Sequence, residues 1–357
     1  MNIGILIAPG ANAPERTQRA EEMMFDGVFF VDSPMIFGDP FVSMAAAAVL
    51  TRRIHLCVCV MNPVTRIVPV TAAIMASLNA LAPGRIGLGI GIGFTGTGAM
   101  GLRAASLADL EEYVSQVRAL LRGEAVEASL LGERRVVQFL NQGPPFVNLQ
   151  EPVPVYVAAA GPRALQVAAR IADRVILGGV ANPELIRSAR ARLHEAARQA
   201  GRQSESIPVA VTPSAFVSDE ELDFPTLREL IGPKSLAPAM NFSRLADASP
   251  EVSQELKHAL RAVRDAYEPP QEAKDGQPGY LSAYRGYMTE LKESQRQLIT
   301  PLVLESTSVA GTPDQCLRKL QELEACGVDW VILSPLPQYV DRAIEDFGRK
   351  VIPRLKG

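Results

Sequence analysis

Three groups of residues in this chain have the types and the spacing for chemistry. Asp32-Ser33-Pro34 follows a short apolar run, Val28 to Val31, so a carboxylate and a hydroxyl stand where a buried strand stops. A glycine-rich stretch beyond Arg85 holds two overlapping G-x-G-x-x-G patterns, Gly91 to Gly96 and Gly96 to Gly101. Backbone this bare lets an anion or a flat ring come close, with amide groups as donors. Gly161-Pro162 opens a helical pattern, where the unpaired amides of a helix start favour an anion and glycine gives it room. The three histidines, His55, His194 and His258, are scattered. The four cysteines, Cys57, Cys59, Cys316 and Cys326, show no metal-ligand spacing, and no metal is expected. Cys57 and Cys59 share one face of a strand, poor geometry for a mutual disulfide. All four read as small buried residues in a reducing cytoplasm.

The glycine patterns invite a dinucleotide-binding reading, and their context argues against it. That fingerprint belongs in the first strand-to-helix turn, with a helix at once and an acidic residue at a strand end about 20 residues on. Here it follows the fourth strand, the next helix starts near Ser106, and Asp109, Glu111 and Glu112 lie on that helix. The stretch reads instead as an anion-binding loop, with a flexible loop packed on strands as the plainer alternative.

Positioning these groups falls to alternating strands and helices. Strands are expected at Ile3–Ile7, Val28–Val31, Ile54–Val60, Arg85–Gly91, Val153–Ala158, Arg174–Leu177, Ile207–Val217 and Trp330–Leu333. Helical patterns separate them: Pro14 to Met24, Pro40 to Thr51, Pro69 to Pro83, Ser106 to Leu121, the stretch after Gly161-Pro162, Pro183 to Ala200, and Thr312 to Gly327. A last helix runs from Gln338 to Ile352. Asn62-Pro63 stops the third strand, because proline cannot donate to a sheet ladder. Ser106 with Asp109 forms a capping-box pattern. Continuous apolar strands alternating with helices mean a parallel sheet covered on both faces, and eight such units favour a closed (β/α)8 TIM barrel in a single domain. Two pieces exceed a plain barrel: a hairpin excursion after helix 4, Val126–Phe146, and a long polar helical insertion after strand 7, residues 218–306, which reads as a lid.

Composition narrows the classes. The chain has 357 residues, 47% hydrophobic and 21% charged, with net charge −3 and no basic block, so nucleic acid is not an expected partner. No apolar run approaches the roughly 18 residues of a membrane span. The opening MNIGILIAPGANAPER lacks a basic n-region and reads as a first strand rather than a secretory leader.

The segment Asn62-Pro-Val-Thr-Arg-Ile-Val-Pro-Val-Thr-Ala followed by Leu81-Ala-Pro-Gly-Arg-Ile-Gly-Leu-Gly-Ile-Gly resembles the luciferase-like superfamily of flavin- and deazaflavin-dependent oxidoreductases. Within it the chain is most similar to the branch using coenzyme F420, which includes methylenetetrahydromethanopterin reductases. Asp26-Gly-Val-Phe-Phe-Val-Asp-Ser-Pro34, Gly101 to Tyr113, Leu120 to Glu124, Pro154 to Pro162, Val309 to Asp314 and Gly327 to Trp330 resemble its other motifs in order. The resemblance implies that Asp32 and Ser33 lie near the redox-active ring as catalytic candidates. It implies a cis peptide between Cys59 and Val60, forming a bulge behind the ring, with Met61 and Asn62 bordering it. Ile92, Gly93 and Phe94, and Ala159, Ala160, Gly161 and Pro162, would wrap the cofactor tail and its phosphate. The branch commonly carries Gly-Asp-Ser-Ala where this chain has Gly93-Phe94-Thr95-Gly96, which makes FMN the alternative cofactor. Ser33 stands where some relatives have His, which disfavours a sugar-phosphate dehydrogenase role.

The expected activity is hydride transfer between F420 and a small organic substrate by a cytoplasmic homodimer. The alternatives are an FMN-dependent monooxygenase supplied by a separate flavin reductase, and a cofactor-free barrel with a binding role. Tyr280, Tyr284 and Tyr287 fall at i, i+4 and i+7, a stripe for packing or for a substrate wall, while Lys257, Arg261 and Arg264 read as a solvated face.

Overall fold

A computed structural model describes residues 1–130, 132–203, 207–266, 276–284, 286 and 289–357. The chain opens β1 (Asn2–Ile7), α1 (Ala13–Glu22), β2 (Gly27–Phe30), α2 (Pro40–Leu50), β3 (His55–Met61), α3 (Val68–Leu81) and β4 (Ile86–Ile90). A single turn, α4 (Thr95–Gly98), lies inside the glycine loop, before α5 (Leu107–Leu121). The antiparallel hairpin of β5 (Val126–Leu130) and β6 (Glu133–Val137) follows. Then come β7 (Val155–Ala158), α6 (Pro162–Ile171), β8 (Arg174–Leu177), α7 (Pro183–Gln199), β9 (Val209–Val211) and β10 (Ser214–Val217). The insertion supplies α8 (Phe224–Ile231), α9 (Leu236–Asp247), α10 (Gln254–Asp265), α11 (Gly279–Ala283), α12 (Glu293–Arg296) and α13 (Pro301–Thr307). The chain closes with β11 (Ser308–Gly311), α14 (Pro313–Ala325), β12 (Trp330–Leu333), α15 (Val340–Lys350) and α16 (Ile352–Lys356).

Eight strands close a barrel in the order β1-β12-β9-β8-β7-β4-β3-β2, every pairing parallel. This is the (β/α)8 architecture expected from the strand count. Its helices begin where local chemistry dictates. Asp39 accepts from the Phe41 amide at 2.8 Å to start α2, and Ser106 with Asp109 closes a full capping box on α5. Gly84, at φ +71°, turns the chain out of α3 into β4.

The core has two layers. Between strands and helices lies a large apolar cluster that includes Ile3, Ile5, Val28, Met61, Leu88 and Val157. Inside the barrel, Phe29, Cys57, Cys59, Tyr156, Ile176, Ala210, Trp330 and Ile332 pack together, with Val60 and Ala158 against them. Phe29 and Trp330 meet edge to face at 5.5 Å between centroids. All four cysteines are free and buried.

Several expectations change. The predicted strand Ile207–Val217 is two strands, because Thr212-Pro213 interrupts it and Pro213 brings no amide to the ladder. Only β9 belongs to the barrel; β10 pairs in parallel with β11, a strand unpredicted as such, in a small sheet of its own. Lys257 is buried at 5% exposure rather than solvated, although Arg261 and Arg264 of the same helix do face outward, paired with Asp247. Tyr287 and part of the 218–306 insertion, residues 267–275, lie outside the described residues. Among the described residues no helix is long and apolar enough to cross a membrane.

The outer surface of α2 and α3 is unusual. Neither helix carries a charged residue, and Val42, Val49, Leu50, Val70 and Leu81 are all exposed on them.

Candidate active site

The last turn of β3 departs from regular strand geometry. The Cys59–Val60 peptide is cis, as expected, and the pairing with β4 shifts register between Val58 and Met61. This bulge explains the glycines of β4. A methyl group on Gly89 would overlap the Val58 carbonyl, and one on Gly91 would lie 3.3 Å from Val60 Cγ2 and 3.4 Å from Ala158 Cβ. Cys59 and Val60 pack with the barrel interior. Met61 does not: its side chain is wholly buried in the layer beneath the helices, and it contributes its carbonyl, which accepts from the Gly91 amide at 3.0 Å.

Asn62 then folds the chain back on itself. Its buried Oδ1 accepts from the amides of Val64 and Thr65 at 3.0 and 3.1 Å, an Asx turn that proline at position 63 favours. The turn delivers Arg66 to Asp32. Arg66 Nη1 donates to Asp32 Oδ2 at 2.5 Å, and Nη2 is shared between Asp32 Oδ1 at 3.3 Å and Asp39 Oδ2 at 2.9 Å. The guanidinium lies 4.7 Å from the Phe41 ring centroid, and the Arg66 carbonyl accepts from Tyr113 Oη at 2.9 Å. The Asp32 side chain is 1% exposed. Burial raises its carboxyl above the ordinary range, with Arg66 opposing the rise. Ser33 is also buried, and its carbonyl accepts from the amides of Ile36 and Phe37.

The glycine loop sits directly on this pair of turns. Gly93, at φ +92°, leaves 3.2 Å between a would-be Cβ and Asn62 Cβ; Gly96 leaves 3.0 Å to the Asp32 carbonyl and 3.2 Å to Asn62 Nδ2. Ile92 and Phe94 are exposed beside it. Farther along, two tyrosines of the insertion seat on bare backbone. Tyr284 Oη would overlap any side chain at Gly98, and the Tyr280 ring lies 2.6 Å from where a Cβ at Gly101 would stand. Tyr284 Oη also donates to the Phe94 carbonyl at 3.5 Å.

Across β4 from the bulge, β7 ends in Ala158, and α6 starts at Gly161 with Pro162 at its first position and no side-chain cap. A methyl group at Gly161 would meet nothing within 4 Å, so there is open space beside this helix start. Ala159 is buried, its amide donating to the Ile176 carbonyl, and Ala160 is half-buried. These features fit a ring laid on the bulge with an anionic tail toward Gly161. Asp32, Ser33, Asn62 and Gly93 are brought together directly, and Ala159–Pro162 form a separate edge of the same barrel end. Sequence reasoning missed Arg66, whose only signal was a lone cation in the apolar stretch after Asn62-Pro63.

Comparison with known proteins identifies the family. The profile of the luciferase-like monooxygenase family matches residues 6–329, and the chain belongs to that family and with it to the oxidoreductases. A 5,10-methylenetetrahydromethanopterin reductase from Methanolobus tindarius is 26% identical over 336 residues, 93% of each chain. An F420-dependent glucose-6-phosphate dehydrogenase from Gordonia bronchialis is 26% identical over 324 residues, 88% of this chain and 82% of its own. Among solved structures, the coenzyme F420-dependent tetrahydromethanopterin reductase of Methanopyrus kandleri superposes with a TM-score of 0.71 at 24% identity, covering 100% of this chain and 99% of its own.

Proposed function

We propose that this enzyme transfers hydride between coenzyme F420 and a small organic substrate. The observation that carries the reading is the register shift where β3 ends at Cys59–Val60, flanked by bare glycines and accompanied by a buried Asp32–Arg66 pair. The F420 dependence named for relatives similar over most of the chain supports it. F420, when bound, supplies or accepts the hydride at C5 of its ring.

The protein's part is to hold and to exclude. Cys59 and Val60 would lie under the ring, with Asn62 and Gly93 at its border. Ile92 and Phe94, with Ala159, Ala160, Gly161 and Pro162, would hold the tail, and the start of α6 would favour its phosphate. Arg66 fixes Asp32 in place, and burial makes this ion-paired carboxylate more basic than an exposed one, which suits it to accept a proton at Oδ. The insertion covers this end of the barrel, with Tyr280 and Tyr284 resting on the glycine loop.

Two features of the wider reading follow. Gly93-Phe94-Thr95-Gly96 departs from the F420 branch, and this favours FMN-dependent monooxygenation, with a separate flavin reductase as partner, as the second reading. The homodimer is assigned to α2 and α3, whose exposed Val42, Val49, Val70 and Leu81 offer an apolar surface with no charge on either helix.

The test is titration of the purified protein with each cofactor, followed by absorbance and by quenching of Trp330. Micromolar F420 binding with FMN at least a hundredfold weaker is expected. FMN binding with no F420 binding would replace the first reading by the second, and binding of neither to folded protein would overturn both.

A further inference from the structure

The wall opposite the bulge carries a second polar group that none of the roles above uses. In the barrel order, β9 stands four strands from β3 in either direction, and β12 is its neighbour. Just past the ends of these two strands, Ser214 and Ser334 are register partners in an isolated parallel bridge, and the Ser334 amide donates to the Pro213 carbonyl at 2.9 Å. Register partners on adjacent strands point their side chains to the same side.

Lys234 reaches this point from the insertion. It ends a short 3-10 turn, Gly232–Lys234, and the next residue is anchored by a hydrogen bond from Thr307 Oγ1 to Ser235 Oγ at 2.8 Å. Lys234 Nζ donates to Ser334 Oγ at 2.9 Å and to the Pro335 carbonyl at 2.7 Å. Both acceptors are neutral. Among the described residues no carboxylate pairs with this ammonium, in contrast to Arg66, which holds two. Lys234 is half-buried as a residue, and burial around the ammonium lowers it to about 7.

An ammonium has three N–H donors, and two are engaged here. Across the bridge from Ser334, Ser214 Oγ is buried with no hydrogen-bond partner. An enclosed cation without a counter-ion and an unpaired hydroxyl on one face are each costly alone, and a single anionic oxygen group would answer both. We propose that Lys234, with Ser214 and Ser334, binds an anionic oxygen group of the substrate, a carboxylate or a phosphate. This assigns an acidic substrate and makes Lys234 a specificity-determining residue. The inference rests on this end of the barrel being the reaction site. A substrate lying between the bulge and the β9–β12 wall would have its reacting atom toward the ring and its anion toward Lys234.

The experiment titrates the full-length protein with inorganic phosphate and, separately, with acetate, by calorimetry and by thermal shift, with and without F420. Saturable binding of at least one anion is expected, and the stronger one identifies the substrate's acidic group. Lys234→Met should weaken it roughly ten- to hundredfold, Lys234→Arg should retain most of it, and Ser214→Ala should weaken it severalfold. F420 affinity should change less than twofold in all three. No saturable binding of either anion to the wild type overturns the proposal, as does equal binding by Lys234→Met. Should Lys234→Met fail to fold, unchanged anion binding by Ser214→Ala would overturn it instead. Absence of F420 binding beside intact, Lys234-dependent anion binding would count against the cofactor assignment alone.

Discussion

At the residue scale, the Asp32–Arg66 pair is the element of the site most open to test. Its carboxylate side is almost wholly desolvated, so removing the cation strands a buried charge. Arg66→Met is therefore expected to lower stability by about 3–5 kcal/mol in urea unfolding, and adding Asp32→Asn should restore part of the loss. An additive double mutant would show that the two side chains do not depend on one another. His55 offers a second test, at the opposite end of the barrel, where its Nε2 meets Tyr156 Oη at 3.1 Å. Burial, and then Arg174, lowers its pKa from 6.5 to about 4, so the folded state holds it neutral. The unfolded chain takes up the proton first. This contribution to stability is complete above pH 6.5 and is lost as pH falls from 6.5 toward 4. Between pH 7.5 and 5 the loss should be about 2 kcal/mol. His55→Gln, compared with the wild type by urea unfolding at both values, should lack that part of the pH dependence.

At the scale of elements, the glycines of β4 and its loop are consequences of their neighbours. Gly89 lies under the Val58 carbonyl where β3 shifts register, and no side chain fits between the two strands there. Gly89→Ala should cost about 1–3 kcal/mol or more, because the clash is with backbone rather than with a side chain that can turn away. On the proposed function cofactor affinity should fall with it, since the strand end proposed to lie under the ring would move. A thermal melt and an F420 titration check both, and an unchanged melting temperature would mean that the strands can separate at no cost. The insertion is tied down at the same place: Tyr280 and Tyr284 occupy the space that Gly101 and Gly98 leave open.

For the whole molecule, the uncharged α2–α3 surface is the main unbalanced feature. Val42, Val49, Val70 and Leu81 are exposed on neighbouring helices, an apolar surface of the kind that marks an interface, and Leu140 and Phe146 beyond the hairpin are exposed as well. Sedimentation should therefore give about twice the 38.4 kDa of one chain. Val70→Glu, which places a charge on an already exposed position, should weaken the dimer at least tenfold with the fold intact. A wild type that sediments as a monomer would refute the assignment of this face.

The barrel is legible along the chain alone, because a (β/α)8 fold repeats a local pattern, buried strand then helix, and each unit announces itself through apolar runs, proline and glycine stops and capping residues. Ser106 with Asp109 is such a local signal, and it closes the capping box its spacing implies. The residues at the bulge were legible only through resemblance, since nothing in the local chemistry of Cys59-Val60 distinguishes it from any other strand end. What the tertiary structure alone decided are pairings across long stretches of chain. Arg66 reaches Asp32 across 34 residues, Lys234 reaches Ser334 across 100, and Tyr284 reaches Phe94 across 190. No periodicity records such meetings. They depend on the order in which eight strands close and on which loops that closure brings to one end of the barrel.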